Sequence, residues 1–176
     1  GSEMCIRDRS WDNAESATNV GLEIEARRRM GFLHGALDEV FGAINVALIK
    51  SEVVLGEESS GVSTSKARAL QGQSPYVINF QLGYDDAGDS GITAVLLYNV
   101  FGERIRDVGR LGSPDIFQEP LHQLDFVYGQ EIGHGWKAKF KAKNLLDQSV
   151  EFTQGSKVAR RYRRGRAFSL SASWDW

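Results

Sequence analysis

The segment Phe168-Ser-Leu-Ser-Ala-Ser-Trp-Asp-Trp176 alternates apolar side chains with serine or aspartate over nine residues without a break. A period of two places successive side chains on opposite faces of a β-strand, whereas a helix repeats every 3.6 residues. The apolar set would therefore lie on one face and the polar set on the other. We predict a β-strand with one apolar face within residues 162–176.

The same period recurs upstream, and no segment shows a convincing helical pattern. Residues 136–144 alternate Trp, Ala, Phe and Ala with four lysines, and a strand collects these lysines on one side. The lysines are Lys137, Lys139, Lys141 and Lys143. Further alternating or weakly alternating segments are residues 20–27, 37–53, 76–85, 92–104 and 121–132. Glycines inside these strands, at positions 42, 83 and 129, indicate bends or close packing. We predict an all-β antiparallel meander of about seven strands in sequence order.

The connections between the predicted strands alternate strictly between short and long. The short ones cover residues 30–36, 86–90 and 133–135, and the mostly longer, polar ones cover residues 54–74, 105–119 and 154–160. In an antiparallel meander, all short turns then lie at one end of the sheet and all long connections at the other. This asymmetry is typical of an outer-membrane barrel, which has short periplasmic turns and longer external loops.

Composition excludes several other classes of protein. The chain has 176 residues, enough for one domain, and its 21 basic and 23 acidic residues give a net charge of −2. We therefore expect no general attraction for nucleic acid. No apolar run approaches the roughly 20 residues of a membrane-spanning helix, which excludes a helical membrane protein but not a membrane β-barrel. The single cysteine, Cys5, excludes an intramolecular disulfide and a cysteine-based zinc site.

The first residues do not read as part of the sheet. The segment Met4-Cys-Ile-Arg-Asp-Arg9 resembles the translated end of a transposon adapter. We expect residues 1–10 to be a non-native or disordered leader and residues 11–176 to be the C-terminal part of a longer protein. The alternative is an ordinary polar terminus.

Alternation does not decide whether the apolar face meets a protein core or lipid. A soluble barrel of the lipocalin type would enclose the apolar residues of 136–144 and leave the lysines in water, and a membrane barrel would do the reverse. Trp174 and Trp176 suit the aromatic girdle at a membrane interface. The opposite parity offers polar residues for a hydrated lumen, namely Glu23, Glu25, Asn79, Gln81, Asp125 and the four lysines. We predict transmembrane strands with Lys137, Lys139, Lys141 and Lys143 facing the lumen.

Several segments together resemble the late barrel of TonB-dependent outer-membrane receptors. They are Arg68-Ala-Leu-Gln-Gly-Gln-Ser-Pro-Tyr-Val77, Leu97-Tyr-Asn-Val-Phe-Gly-Glu-Arg-Ile105, Pro114-Asp-Ile116, Lys143-Asn-Leu-Leu-Asp147 and Tyr162 through Gly165-Arg166 to the aromatic end. The resemblance covers Trp11 to Trp176 and implies a barrel of about 22 strands around an N-terminal plug. This chain would supply roughly the last seven strands, without the plug and the energy-coupling box, so that the fragment could not transport alone. Such an arc has two unpaired edges, and we expect it to curl or to close on itself.

The resemblance also implies a function and a location. It implies energy-coupled uptake of a scarce nutrient, such as an iron–siderophore complex, across the outer membrane of a Gram-negative bacterium. The inner-membrane TonB complex would be the partner of the missing N-terminal part, and neither a cofactor nor an enzymatic activity is expected. Polysaccharide fragments and cobalamin stay open as ligands. A passive or structural outer-membrane barrel and a soluble lipocalin-like binder stay open as classes.

Two sets of residues are candidate contacts with other molecules. The terminal set resembles the signal by which barrel-assembly machinery recognises outer-membrane proteins through strand addition, and comprises Phe168, Leu170, Ala172, Trp174 and Trp176. The second set, Arg160, Arg164 and Arg166, would face outward at the outer end of the last strand and bind lipopolysaccharide phosphates. The alternative for these arginines is a solvated loop.

We predict no catalytic or metal site. The segment Gly88-Asp-Ser-Gly91 resembles the nucleophile loop of chymotrypsin-like serine proteases, but it lies in a predicted hairpin turn, and no histidine has the sequence surroundings of a catalytic base. Asp85, Asp86 and Asp89 lack the later glutamate of an EF-hand loop. The three histidines, His34, His122 and His134, do not have the spacing of metal ligands.

Overall fold

A computed structural model describes residues 14–56, 67–86, 88 and 90–174. These residues form twelve β-strands and a 3-10 turn at Gly35–Leu37. The strands are β1 (Ala14–Arg29), β2 (Val40–Leu55), β3 (Ala67–Arg68), β4 (Tyr76–Asp86), β5 (Ile92–Phe101), β6 (Arg104–Asp107), β7 (Ile116–Gln118), β8 (Leu121–Gly133), β9 (Trp136–Lys143), β10 (Val150–Gln154), β11 (Lys157–Tyr162) and β12 (Ala167–Trp174). In this part of the chain, no helix has the length and apolarity needed to cross a membrane.

The seven long strands form one antiparallel sheet in the order β1-β2-β4-β5-β8-β9-β12, with β3 paired to β2. This arrangement confirms the predicted all-β antiparallel meander, in which each long strand neighbours the next one in sequence. Among the described strands, β1 and β12 each pair on one side only, so the sheet stays open. Of the two outcomes expected for such an arc, curling or closure on itself, closure does not occur among the described strands.

The register divides the main sheet into two faces that can be read from residue numbers. Ile44 lies opposite Phe80, and Phe80 lies opposite Tyr98. The other pairings among the seven long strands also join even with even and odd with odd, except where bulges shift the register at the ends of β1 and β8. Because side chains alternate along each strand, even-numbered residues share one face and odd-numbered residues the other. We call these the even face and the odd face.

A second, smaller sheet forms from two of the long connections. Its antiparallel order is β11-β10-β7-β6. The predicted strand 92–104 is divided, since β5 ends at Phe101 and Arg104 already belongs to β6. The chain passes from the main sheet to the second sheet at Gly102. The N–H of Gly102 donates a hydrogen bond to the carbonyl of Tyr76 at 3.0 Å. The last strand of the main sheet starts at Ala167 rather than within residues 162–166.

The tightest packing lies near the long connections. Six buried apolar residues of the described chain are at the strand ends there or in the second sheet, namely Val53, Val100, Ile105, Leu121, Ala142 and Val150. The β2–β4 connection reaches this region through the Ser74 hydroxyl, which donates to the carbonyl of Gly102 at 2.9 Å. The described parts of the long connections are therefore packed and hydrogen-bonded.

A strand glycine on the odd face shows the close packing that the sequence suggested. The ring of Phe41, which is buried, lies over Gly83 on the neighbouring strand, and a Cβ atom there would be 2.3 Å from the ring. The guanidinium carbon of Arg27 lies 4.5 Å from the centroid of the same ring. Gly83 thus provides the space that the aromatic ring occupies.

Candidate functional site

The even face carries an apolar surface that extends across the main sheet. Leu170 is 78% exposed on β12 and Leu22 is 59% exposed on β1, at the opposite edge. Other exposed apolar residues of this face are Val20, Ile24, Ile44, Leu48, Phe80, Leu82, Tyr84, Trp136, Phe168 and Trp174. Soluble monomers rarely expose contiguous apolar patches of more than a few hundred Å². The even face therefore suits an apolar environment.

The predicted assembly-signal residues lie on this face of β12 as far as the structure describes them. Phe168, Leu170, Ala172 and Trp174 are all exposed, and Trp176 lies outside the described residues. Trp174 stacks on Trp136 with ring centroids 6.3 Å apart. Its indole N–H donates to the carbonyl of His134, in a short connection, at 3.1 Å. This places the aromatic end of β12 at the short-connection end of the sheet.

A row of side-chain amides crosses the odd face from strand to strand. Asn45, Asn79 and Asn99 lie directly opposite one another on β2, β4 and β5. Asn99 donates to Asn79 at 2.6 Å, and Asn79 donates to Asn45 at 3.1 Å. Asn45 in turn donates to a carboxylate oxygen of Glu23 at 2.7 Å. We call this set the amide row; its hydrogen bonds all run in one direction and end at an anion, which favours cooperative polarisation.

Beyond Asn99 the odd face holds a cavity of about 260 Å³. Gln123 lies opposite Asn99 and donates to both oxygens of Asp125 at 3.1 and 3.2 Å. Asp125 also accepts from the backbone N–H of Asn144 at 2.8 Å. The lining includes Asn79, Gln81, Leu97, Asn99, Gln123 and Asp125. Amides and one carboxylate provide hydrogen bonds for polar groups or water.

The four predicted lumen-facing lysines all belong to the odd face. Lys139 and Lys141 lie opposite Ser171 and Ser169 on β12. The ammonium of Lys137 lies 3.5 Å from the carboxylate of Glu131 on β8. The structure therefore brings the lysines to the face that carries Glu23, Asn79 and Asp125; their contact with a lumen stays a prediction.

The three arginines predicted to contact lipopolysaccharide do not share one strand. Arg160 belongs to β11, where it lies opposite Phe152 and 4.9 Å from the Tyr162 ring centroid. Arg166 immediately precedes β12 and donates through Nε to the carbonyl of Leu145 at 2.9 Å. Arg164 lies between these two elements. The three arginines are all even-numbered, but they do not share one strand face, because the chain leaves the second sheet after Arg160 and enters the main sheet after Arg166.

The segments judged non-catalytic have ordinary structural roles. The Ser90 hydroxyl donates to the carbonyl of Asp86 at 3.3 Å within the β4–β5 turn, and Asp89 lies outside the described residues. His34 caps the 3-10 turn by accepting from the N–H of Ala36. Within the described ranges, no group of three His, Cys, Asp or Glu residues could hold a metal ion.

One contact between two polar side chains was not predicted from the sequence. The Tyr98 hydroxyl and Nδ1 of His122 lie 2.5 Å apart on neighbouring strands of the even face. Their positions differ by 24 residues, so only the register of β5 with β8 brings them together. No local pattern indicated this contact.

Comparison with models of protein families, with curated proteins and with solved structures found no match to this chain. The class of protein is therefore described by its fold alone. The described residues form an open, antiparallel, all-β sheet. One of its faces is apolar and exposed, and the other carries the amide row and the lysines.

Proposed function

We propose that this chain is part of the transmembrane barrel of a TonB-dependent receptor in the outer membrane of a Gram-negative bacterium. The receptor would import a scarce nutrient, such as an iron–siderophore complex, with energy from the inner membrane. The observation that supports the membrane assignment best is the exposed apolar even face, which extends from β1 to β12.

The alternative of a soluble, lipocalin-like barrel fits this exposure poorly. Such a barrel encloses its apolar side chains, but Leu22, Ile24 and Leu170 are each more than half exposed. Removing apolar surface from water is favourable by roughly 25 cal/mol per Å². Lipid acyl chains would cover the even face, and the amide row and lysines would then face an aqueous interior.

The strand lengths also suit a bilayer. A tilted strand crosses the hydrocarbon region with about 9–11 residues. β1 and β2 have 16 residues each, β8 has 13, β4 has 11 and β5 has 10. β9 and β12 have eight each and pair along their whole lengths. The long connections would be external and the short ones periplasmic.

A matched pair of substitutions tests the lipid contact. Leu170 and Ser171 are neighbours on β12 and belong to opposite faces. In the complete receptor, Leu170→Arg should cost about 2–4 kcal/mol if it lies near the bilayer midplane, whereas Ser171→Arg on the polar face should be tolerated. The measurement is the amount of folded, outer-membrane-inserted protein for each variant. Equal amounts for the two variants would argue against the membrane assignment.

The choice of a receptor over a passive or structural barrel rests on the sequence resemblance. A receptor carries a plug domain and a short energy-coupling box on the same polypeptide, and the box contacts the inner-membrane TonB complex. Sequencing the gene upstream of the codon for Trp11 distinguishes the two. A plug preceded by a coupling box would support the receptor, and an upstream region with neither would refute it in favour of a passive barrel.

A further inference from the structure

Two arginines form a cluster where the second sheet meets the long connections. Arg104 and Arg106 both lie on β6 and line one cavity, and the charge of Arg164, which follows β11, acts on Arg104. The Nε of Arg104 donates to the side-chain carbonyl of Gln118 at 3.0 Å. The guanidinium carbon of Arg104 lies 4.2 Å from the ring centroid of Phe101. A buried amide and an aromatic ring thus orient this guanidinium without neutralising its charge.

The cluster lacks a counter-charge among the described residues. No ion pair of the described part of the chain includes Arg104, Arg106 or Arg164. The pKa of Arg104 is lowered, first because burial removes solvent from the guanidinium and then because Arg106 and Arg164 repel its charge. Like charges held together in this way favour the binding of an anion.

A cavity of about 400 Å³ opens beside Arg104 and Arg106, within the range of small-molecule sites. Its lining residues are Gln71, Gly72, Arg104, Ile105, Arg106 and Gln118. The β2–β4 connection closes one side, since Gly72 donates through its N–H to the carbonyl of Ile105 at 2.8 Å. Gln71 donates through its amide to the carbonyl of Arg106 at 2.7 Å. Gln118, which is 4% exposed, fixes Arg104 at the wall.

We propose that this cavity binds the phosphate groups of an anionic ligand through Arg104 and Arg106. The planar guanidinium presents parallel N–H donors that match two oxygens of a phosphate, which a lysine ammonium cannot do. Because Nε of Arg104 is bonded to Gln118, its terminal amino groups are the donors that face a ligand. Arg106 adds a second guanidinium from the same strand.

Two sources of phosphate fit this chemistry, a soluble phosphorylated solute and the phosphates of lipopolysaccharide. The inference names a ligand class for the proposed receptor and rests on that function for the route by which the ligand arrives. Phosphate binding depends only on the second sheet and its connections. Phosphate binding can therefore be absent even when the membrane assignment is correct, and the Leu170 and Ser171 variants test that assignment separately.

The test is calorimetric titration of the whole 176-residue chain, folded in detergent micelles, with two probes. The probes are inorganic pyrophosphate, and lipid A compared with dephosphorylated lipid A in the same detergent. Arg104→Gln and Arg106→Gln should each weaken binding by about 10- to 100-fold, since each removes a charge-assisted contact. The matched control is Lys157→Gln, which removes one positive charge from the start of β11, and we expect a change of less than about threefold.

The possible outcomes distinguish the two sources of phosphate and also test the proposal. Pyrophosphate binding that is lost in Arg104→Gln assigns a soluble ligand, and lipid A binding lost in the same variant without pyrophosphate binding assigns the lipid headgroup. Failure of the original chain to bind either probe overturns the proposal. So does binding that Lys157→Gln weakens as much as Arg106→Gln does. Circular dichroism verifies that each variant is folded, and Arg106→Gln, which changes an exposed side chain, serves if Arg104→Gln does not fold.

Discussion

Phe140 and Phe168 stack across the β9–β12 pair with ring centroids 6.4 Å apart and planes inclined by 15°. They are diagonal neighbours, because the register places Phe140 opposite Leu170 and Phe168 opposite Ala142. Diagonal pairs lie within reach only of long or aromatic side chains. This contact therefore joins the edge strand β12 to the sheet in addition to the backbone ladder.

A double-mutant cycle should detect this contact. Phe140→Ala and Phe168→Ala should show a coupling free energy of about 0.5–1.5 kcal/mol, the range found for aromatic pairs. Urea unfolding of the folded chain in micelles, followed by circular dichroism, gives the four free energies of unfolding. Phe80, on β4 of the same face, supplies the control partner: Phe80→Ala and Phe168→Ala should be additive. Equal coupling in both cycles would mean that stacking contributes nothing specific.

Gly83 should not tolerate even a methyl group. Gly83→Ala places a Cβ within the space of the Phe41 ring, so the ring must move from its buried position. Overpacking of this kind costs about 1–3 kcal/mol of the free energy of unfolding. The control is Gly88→Ala, because a Cβ at Gly88 meets nothing within 4 Å. The prediction is wrong if thermal unfolding in micelles gives the same midpoint for the two variants.

The amide row should be sensitive at its centre. Asn79→Ala removes the bonds to both Asn45 and Asn99 and leaves their amides without these partners, at an expected cost of about 1–3 kcal/mol. The matched control is Gln81→Ala, two residues along the same strand and face. Urea unfolding measures both changes. A cost for Gln81→Ala as large as that for Asn79→Ala would show that the row adds no stability.

The C-terminal aromatic residue should matter more for assembly than the ring at Trp174. Deleting Trp176 from the complete receptor should slow its arrival in the outer membrane, because barrel-assembly machinery would lose the last residue of its strand signal. Trp174→Phe keeps an aromatic ring against Trp136 and loses one hydrogen bond, and it should have a smaller effect. Pulse labelling with membrane fractionation gives the rates. A normal rate and level for the deletion variant would leave Trp176 with a packing role only.

The sequence predicted the main sheet well because a period of two is easily seen in strands of eight residues or more. The alternation of residues 136–144 and 168–176 set both the strands and their faces, and the order of short and long connections set the meander. Antiparallel neighbours joined by short turns need no long-range information. The seven long strands could therefore be predicted from the local sequence pattern.

The second sheet was missed for a physical reason. β6, β7, β10 and β11 have between three and six residues, too few to show a period. Their pairing also joins different connections, as when Phe152 of β10 lies opposite Gln118 of β7. The arginine cavity depends on this sheet. Sequence parity therefore grouped Arg160, Arg164 and Arg166, whereas the structure places Arg104 and Arg106 in the lining of one cavity.

The amide row has a consequence for how the sheet reaches one alignment. A slip of one residue would turn the apolar side chains to the wrong face, but a slip of two residues would keep every side chain on its own face. If β5 slipped by two against β4, Leu97 or Phe101 would stand opposite Asn79 in place of Asn99. Asn79 would then lack its donor. The asparagines therefore disfavour a slip of two residues between neighbouring strands, which the alternation of apolar and polar residues does not disfavour.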